Sequence, residues 1–219
     1  MIVIRCGEAP VPPVLVEHAR VECAEIPTRD EADRVLRELD PDRRLLVCGT
    51  DAALAALLTR FMRLERLDVE IAYVTAEAGA VTRAYGLPTG SAAARLGMSG
   101  TAREVPLVRD ETGTAVVGEV TVTGPDGGPL TGEAYADDDR VFTGEIEALV
   151  VHPSPELPGV RATAGRRRGL LRRLEWFDAR AVQLGTDAGV VTRDGVPGRR
   201  PVKRASFYRH ADPWRLVSP

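Results

Sequence analysis

The chain has 219 residues, 44% hydrophobic and 28% charged, which is enough for one large or two small packed cores and too balanced for long disorder. A formal net charge of −3 supplies no global field to draw in nucleic acid, so no nucleic-acid partner is expected and any anion site must come from local clustering. Cys6, Cys23 and Cys48 lack a second ligand at zinc spacing, the opening residues lack the form of a signal peptide, and no apolar run nears the ~20 residues that span a bilayer, so the expectation is a cytoplasmic protein with buried thiols and no transmembrane segment.

Residues 1–6 are a short apolar run and predict a buried strand. Pro10, Pro12 and Pro13 fix φ and remove donors, which rules helix out of residues 8–13. Residues 21–26 alternate and predict a second strand. Thr28 with Glu31 three places on forms a capping box, and Ala32, Val35, Leu36 and Leu39 then share a helical face that stops before Pro41. Leu45-Leu46-Val47, flanked by helical patterns, reads as a parallel strand buried on both faces. Gly49-Thr50-Asp51 turns the chain into a second helix with Leu54, Leu57, Leu58, Phe61 and Met62 at helical spacing. Residues 69–74 predict a strand, 76–85 a helix stopped by Gly86-Leu87-Pro88, and 91–96 one more short helix.

After about Gly100 the pattern changes. Strand-like runs at 105–108, 115–122, 134–135, 145–151, 181–184, 189–192, 202–208 and 214–217 are separated by turn signals such as Pro125-Asp126-Gly127-Gly128 and Asp194-Gly195. The expected fold class is therefore α/β. An open parallel sheet with flanking helices forms a nucleotide-binding-like lobe over residues 1–100, and an antiparallel, sandwich-like β-rich lobe covers 101–219. The parallel sheet is expected wholly on the N-terminal side.

The strongest chemical signal is the strand, tight turn and helix start of residues 45–54. Backbone N–H groups at such a start suit a phosphate, though Thr50 or Asp51 can equally well cap the helix. Asp137-Asp138-Asp139 reads as an acidic hairpin tip, with a divalent-ion site as the rarer alternative. Arg166, Arg167, Arg168, Arg172 and Arg173 surround Leu170, Leu171, Leu174, Trp176 and Phe177. That pattern is either a solvated arginine face or a basic amphipathic segment for phosphate or anionic lipid. His18, His152 and His210 stand apart from any nucleophile motif, so no catalytic residue is assigned.

The order of elements around the turn Cys48-Gly49-Thr50-Asp51-Ala52 resembles the diacylglycerol kinase catalytic-domain superfamily, which also contains sphingosine and NAD kinases. There the turn reads Gly-Gly-Asp-Gly-Thr and wraps nucleotide phosphates. Set against it, Cys48 and Asp51 stand at glycines and Thr50 at the aspartate. The family's second signature, Pro-Leu-Gly-Thr-Gly-Asn-Asp before a helix, falls on residues 74–80 with its polar residues changed, and Arg5-Cys6-Gly7 replaces an opening Asn-Pro. The tail, through Ala181-Val182-Gln183-Leu184 and Arg193-Asp194-Gly195-Val196, is similar to the family's last strands. The family's acidic Asp-Gly motif has no counterpart between residues 150 and 181, where Arg166-Arg167-Arg168-Gly169 stands instead.

The resemblance implies ATP and magnesium as cofactors, with Gly49, Thr50, Asp51, Thr75 and Glu77 as cofactor-binding positions and Arg166, Arg167 and Arg168 as anion-binding candidates. It places Gly49 at the strand-to-helix turn facing a cleft between the lobes, and it implies a small-molecule or lipid-headgroup ligand, with peripheral membrane contact compatible with such a ligand. The departures point to a divergent, non-catalytic or altered member that binds a nucleotide, phosphorylated metabolite or lipid headgroup. Two alternatives stay open: an active ATP-dependent lipid or small-molecule kinase, and a structural or regulatory protein whose β lobe pairs with a partner or a second copy.

Overall fold

A computed structural model describes residues 1–18, 20–39, 44–165 and 175–219. Two compact units make up the chain: Met1–Val105 together with Asp212–Pro219, and Pro106–Ala211. The architecture is mixed α/β and strand-rich, with one sheet that is mainly parallel and one large antiparallel sheet.

In the first unit β1 (Ile2–Cys6), β2 (Arg20–Cys23), β3 (Leu45–Cys48), β4 (Glu70–Val74), β5 (Thr101–Val105) and β17 (Trp214–Ser218) form a six-stranded sheet in the order β2-β1-β3-β4-β17-β5. The apolar run of β3 is buried at all four positions, as expected of a strand with helices on both faces. Helix α1 (Arg29–Glu38) opens on the predicted capping box. The Glu31 N–H donates to Thr28 Oγ1 at 3.3 Å, and the Thr28 N–H donates back to Glu31 Oε2 at 2.8 Å. That backbone donor holds the Glu31 carboxyl below its ordinary range. Helix α2 (Asp51–Arg63) buries Leu54, Leu57, Leu58 and Phe61 and is tied to α1 by a two-pronged Arg60–Asp33 pair at 2.6 and 2.8 Å. Helix α3 (Ala80–Tyr85) ends at Gly86, whose φ of +64° is the left-handed stop that glycine supplies. In α4 (Gly90–Ser99), Gly97 lies flat on the sheet: a Cβ there would stand 2.9 Å from the Ala72 Cβ.

The second unit holds β6 (Val108–Asp110), β7 (Ala115–Val116), β8 (Val120–Thr123), β9 (Leu130–Ala136), β10 (Asp139–Ile146), β11 (Ala148–Pro153), β12 (Val160–Gly165), β13 (Phe177–Ala179), β14 (Ala181–Arg193), β15 (Val196–Pro197) and β16 (Val202–Arg209). Every pairing among them is antiparallel. The long β14 serves two groups of strands: its first half pairs with β9 and β16, and its second half with β8. Val122, Leu130, Leu149, Val160, Val182 and Phe207 are among the fully buried side chains of this unit's core.

Several expectations need correction. The parallel sheet is not confined to the first hundred residues, because β17 returns from the C-terminus and pairs parallel with β4. β17 also pairs antiparallel with β5, so the first sheet is mixed. The helix expected over 76–85 starts only at Ala80, and the one expected over 91–96 runs from Gly90 to Ser99. The run 115–122 is two strands. Between them the N–H groups of Val117, Gly118 and Glu119 turn inward to the carboxylate of Asp194 at 3.1, 2.7 and 3.0 Å. The expected break between 184 and 189 is a register shift inside one strand. Arg166, Arg167 and Arg168 lie outside the described residues.

Candidate functional site

The carboxyl ends of β1, β3 and β4 are where an open parallel sheet gathers ligands, and the conspicuous polar grouping of the first unit lies there. Gly49 follows β3 directly. Its N–H donates to the Val74 carbonyl at 3.2 Å, and an added Cβ would stand 3.1 Å from the Cβ atoms of both Ala53 and Cys6. A side chain at this strand-to-helix turn would have to push both neighbours aside by a few tenths of an ångström. Thr50 is the N-cap of α2, its hydroxyl accepting the Ala53 N–H at 3.2 Å. Of the two readings of this turn, Thr50 fulfils capping, and two of the donors that could face a phosphate are already engaged.

Asp51 does something else. Its Oδ1 accepts the Tyr73 hydroxyl at 2.8 Å and its Oδ2 accepts the Val81 N–H at 3.3 Å, while the same Tyr73 hydroxyl stands 3.2 Å from the Gly49 carbonyl. Gly79 packs on this carboxylate, where an added Cβ would meet Asp51 Oδ2 at 3.1 Å. One aspartate thus joins the end of β4 to the start of α3 through both of its oxygens. Tyr73 itself is 4% exposed.

Thr75 sits just past β4, and its carbonyl accepts the Gly90 N–H at 2.7 Å. It lines a cavity of about 210 Å³ bounded by residues 10–13 on one side and by residues 74–76, Gly90 and Ser91 on the other. No side chain caps α4 here. Thr75 and Ser91 bring hydroxyls to the lining and no charged side chain among the described residues joins them, so an anion would depend on the backbone donors of the α4 start. Glu77 is exposed in the loop before α3 and is not part of the lining. The structure thus joins Gly49, Thr50 and Asp51 at one turn, puts Thr75 at the neighbouring cavity, and leaves Glu77 apart.

The three thiols lie beneath this edge. Cys6 and Cys23 are direct partners across β1 and β2, and all three cysteines are buried and unpaired. Burial pushes the Cys6 thiol up to about 12 and the Cys48 thiol up to about 11, and it raises Cys23 as well. Neutral, buried thiols are structural fillers rather than nucleophiles.

Two features escaped sequence reasoning. Tyr73 reads as one more apolar strand residue, and only its polar tip beside an aspartate-bearing turn hints at a bond. The start of α4 is the other: the sequence placed that helix at Ser91, and it begins at Gly90 with no side-chain cap. Among the described residues no group of three His, Cys, Asp or Glu side chains could hold a metal ion, so magnesium would depend on Asp51, each of whose oxygens already accepts one hydrogen bond, together with a ligand's own phosphates.

No family model and no curated protein matches the sequence. Solved structures do match in fold. A diacylglycerol kinase from Bacillus anthracis str. Sterne is similar at 11% identity with a TM-score of 0.70, covering 100% of this chain and 96% of that one. An NAD kinase from Archaeoglobus fulgidus, in complex with ATP, gives a TM-score of 0.61 at 10% identity over 100% and 94% of the two chains. A yeast NADH kinase complexed with NADH gives 0.57 at 11% identity over 100% and 84%. The chain has the fold of diacylglycerol kinase-like and NAD kinase proteins.

Proposed function

We propose that this chain is a divergent diacylglycerol kinase-like protein that binds a phosphate-bearing ligand, such as a nucleotide, a phosphorylated metabolite or a lipid headgroup, without efficient phosphoryl transfer. The observation that carries this reading is the engagement of Asp51. A carboxylate whose two oxygens accept from Tyr73 and from the start of α3 is held as a structural pin between β4 and α3, which competes with service as a base or metal ligand. The likeness to an ATP complex and to an NADH complex supports a nucleotide among the ligands. The uncapped start of α4 beside the 210 Å³ cavity supports a place for the phosphate or for the group next to it.

The second reading is an active ATP-dependent kinase, and one observation favours it. Gly49 and Asp51 keep the Gly-x-Asp spacing of Gly-Gly-Asp-Gly-Thr, which would set Asp51 rather than Thr50 on the family's aspartate. Thermal stabilisation by ATP, ADP and inorganic phosphate tests the binding itself, because only a ligand of the native state raises its stability. Stabilisation by at least one of them, reduced in Ser91→Glu, is expected. No stabilisation by any of the three would overturn ligand binding at this cavity.

A further inference from the structure

One face of the large antiparallel sheet in the second unit is open to solvent, and its charges follow a pattern. Across the run β10-β9-β14-β16-β6, cross-strand partners line up in rows. Ala136, Val182, Phe207 and Asp110 form a row buried in the core, so the rows on either side of it point the other way, outward. One outward row runs Arg140, Tyr135, Gln183, Ser206 and ends at Glu111, whose N–H donates to the Ser206 carbonyl at 3.2 Å and whose Oε2 accepts the Ser206 N–H at 2.8 Å. Two residues along, a second outward row runs Glu133, Gly185, Arg204. Ser206 and Gly185 are half-buried and the other six are exposed. Among the described residues, none of Arg140, Glu133, Arg204 and Glu111 takes part in an ion pair.

Counted from the central β14, the signs are antisymmetric. Arg140 stands two strands to one side and Glu133 one strand, while Arg204 stands one strand to the other side and Glu111 two. A second copy laid face to face on this one about a two-fold axis along β14 therefore sets Arg140 over the second copy's Glu111 and Glu133 over its Arg204. A two-fold axis across the strands sets no charge over another. Each charge is matched to one partner by strand register, so the match does not depend on a net charge. We propose that this face pairs with a second copy of the chain as an isologous dimer. Stacked sheets stand ~10 Å apart, a gap that an arginine and a glutamate close when they reach from opposite sides, and the small Ser206 leaves room for the Tyr135 ring of the other copy. Five strands ~4.8 Å apart give a face of about 20 Å by 20 Å, smaller than the ~800 Å² per partner of a standard interface, so the dimer is weak and concentration-dependent.

Sedimentation velocity of the full chain, from roughly 1 µM to roughly 1 mM, reads the dimer. The natural sequence is expected to pass from monomer to dimer within that range. Glu133→Arg and Arg204→Glu each set two pairs of like charges across the two-fold axis, and each variant alone should dimerise about tenfold more weakly. An equimolar mixture of the two variants restores both opposite-charge pairs in the mixed dimer, so it should associate about as tightly as the natural chain. Both substituted residues are exposed, and recovery in the mixture also shows that each variant is folded. A natural chain that stays monomeric at every concentration, self-association unchanged in either variant, or a mixture that associates no more tightly than its components would each overturn the proposal.

Discussion

The bond between Tyr73 and Asp51 carries the functional argument, and a double-mutant cycle measures it. Tyr73→Phe removes one hydroxyl that donates to a carboxylate at 2.8 Å. Hydrogen bonds to charged groups contribute ~1.5–3 kcal/mol, and the half-buried Asp51 puts this one near the low end, at about 1.5 kcal/mol. Asp51→Ala loses the same bond, the longer contact from the Val81 N–H, and a favourable charge in the first turn of α2, together about 2.5 kcal/mol. If the bond exists, the double variant costs only slightly more than Asp51→Ala alone, the remainder being the Tyr73 hydroxyl's contact with the Gly49 carbonyl, and the coupling is about 1 kcal/mol. Urea unfolding supplies the free energies. Trp214 is fully buried in the first unit, so its fluorescence in a Trp176→Phe background reports on the unit that holds the bond. Two single costs that add to within ~0.3 kcal/mol in the double variant would refute the pin.

Other consequences are simpler to read. Gly97→Ala should destabilise the first unit by ~1–3 kcal/mol, because the new Cβ meets the Ala72 Cβ at 2.9 Å and Leu46 Cδ2 at 3.1 Å; an unchanged urea midpoint would contradict the close approach of α4. Asp194→Ala strips three backbone N–H groups of their acceptor in a nearly buried place and should cost ~3 kcal/mol or more, with a milder loss in Asp194→Asn. The thiols should resist a disulfide reagent at pH 8, where the thiolate fraction of Cys48 is about a thousandth, and all three should react once the chain is unfolded; rapid labelling of the native protein would contradict their burial.

Local signals were legible because they are written in adjacent residues. Thr28 and Glu31 announce the start of α1, Leu45–Cys48 announces a strand buried on both faces, and Gly86 stops α3. The resemblance to diacylglycerol kinases could likewise be read from the order of elements, and the solved structures bear out that fold. What stayed hidden is set by distant partners. Residues 214–217 read as a strand whichever sheet they join, and only the vacancy beside β4 makes the pairing parallel. The run 115–122 reads as one strand because the acceptor that breaks it, Asp194, comes more than 70 residues later. The role of Asp51 was hidden in the same way. An acidic residue just after Thr50 reads as part of a helix cap, and its bond to Tyr73 spans 22 positions of the chain. The lobe division near residue 100 followed the change of texture, which the returning β17 does not obey.

The central claim, binding of a phosphate-bearing ligand without efficient transfer, is tested most directly by following one label. Equilibrium dialysis of γ-labelled ATP against the full chain, with magnesium and vesicles containing diacylglycerol, reads retention and transfer in the same vessel. The account predicts labelled nucleotide retained with the protein and lipid label at background, with retention reduced in Ser91→Glu. Robust labelling of the lipid that Asp51→Ala abolishes would contradict it and make Asp51 a working catalytic group.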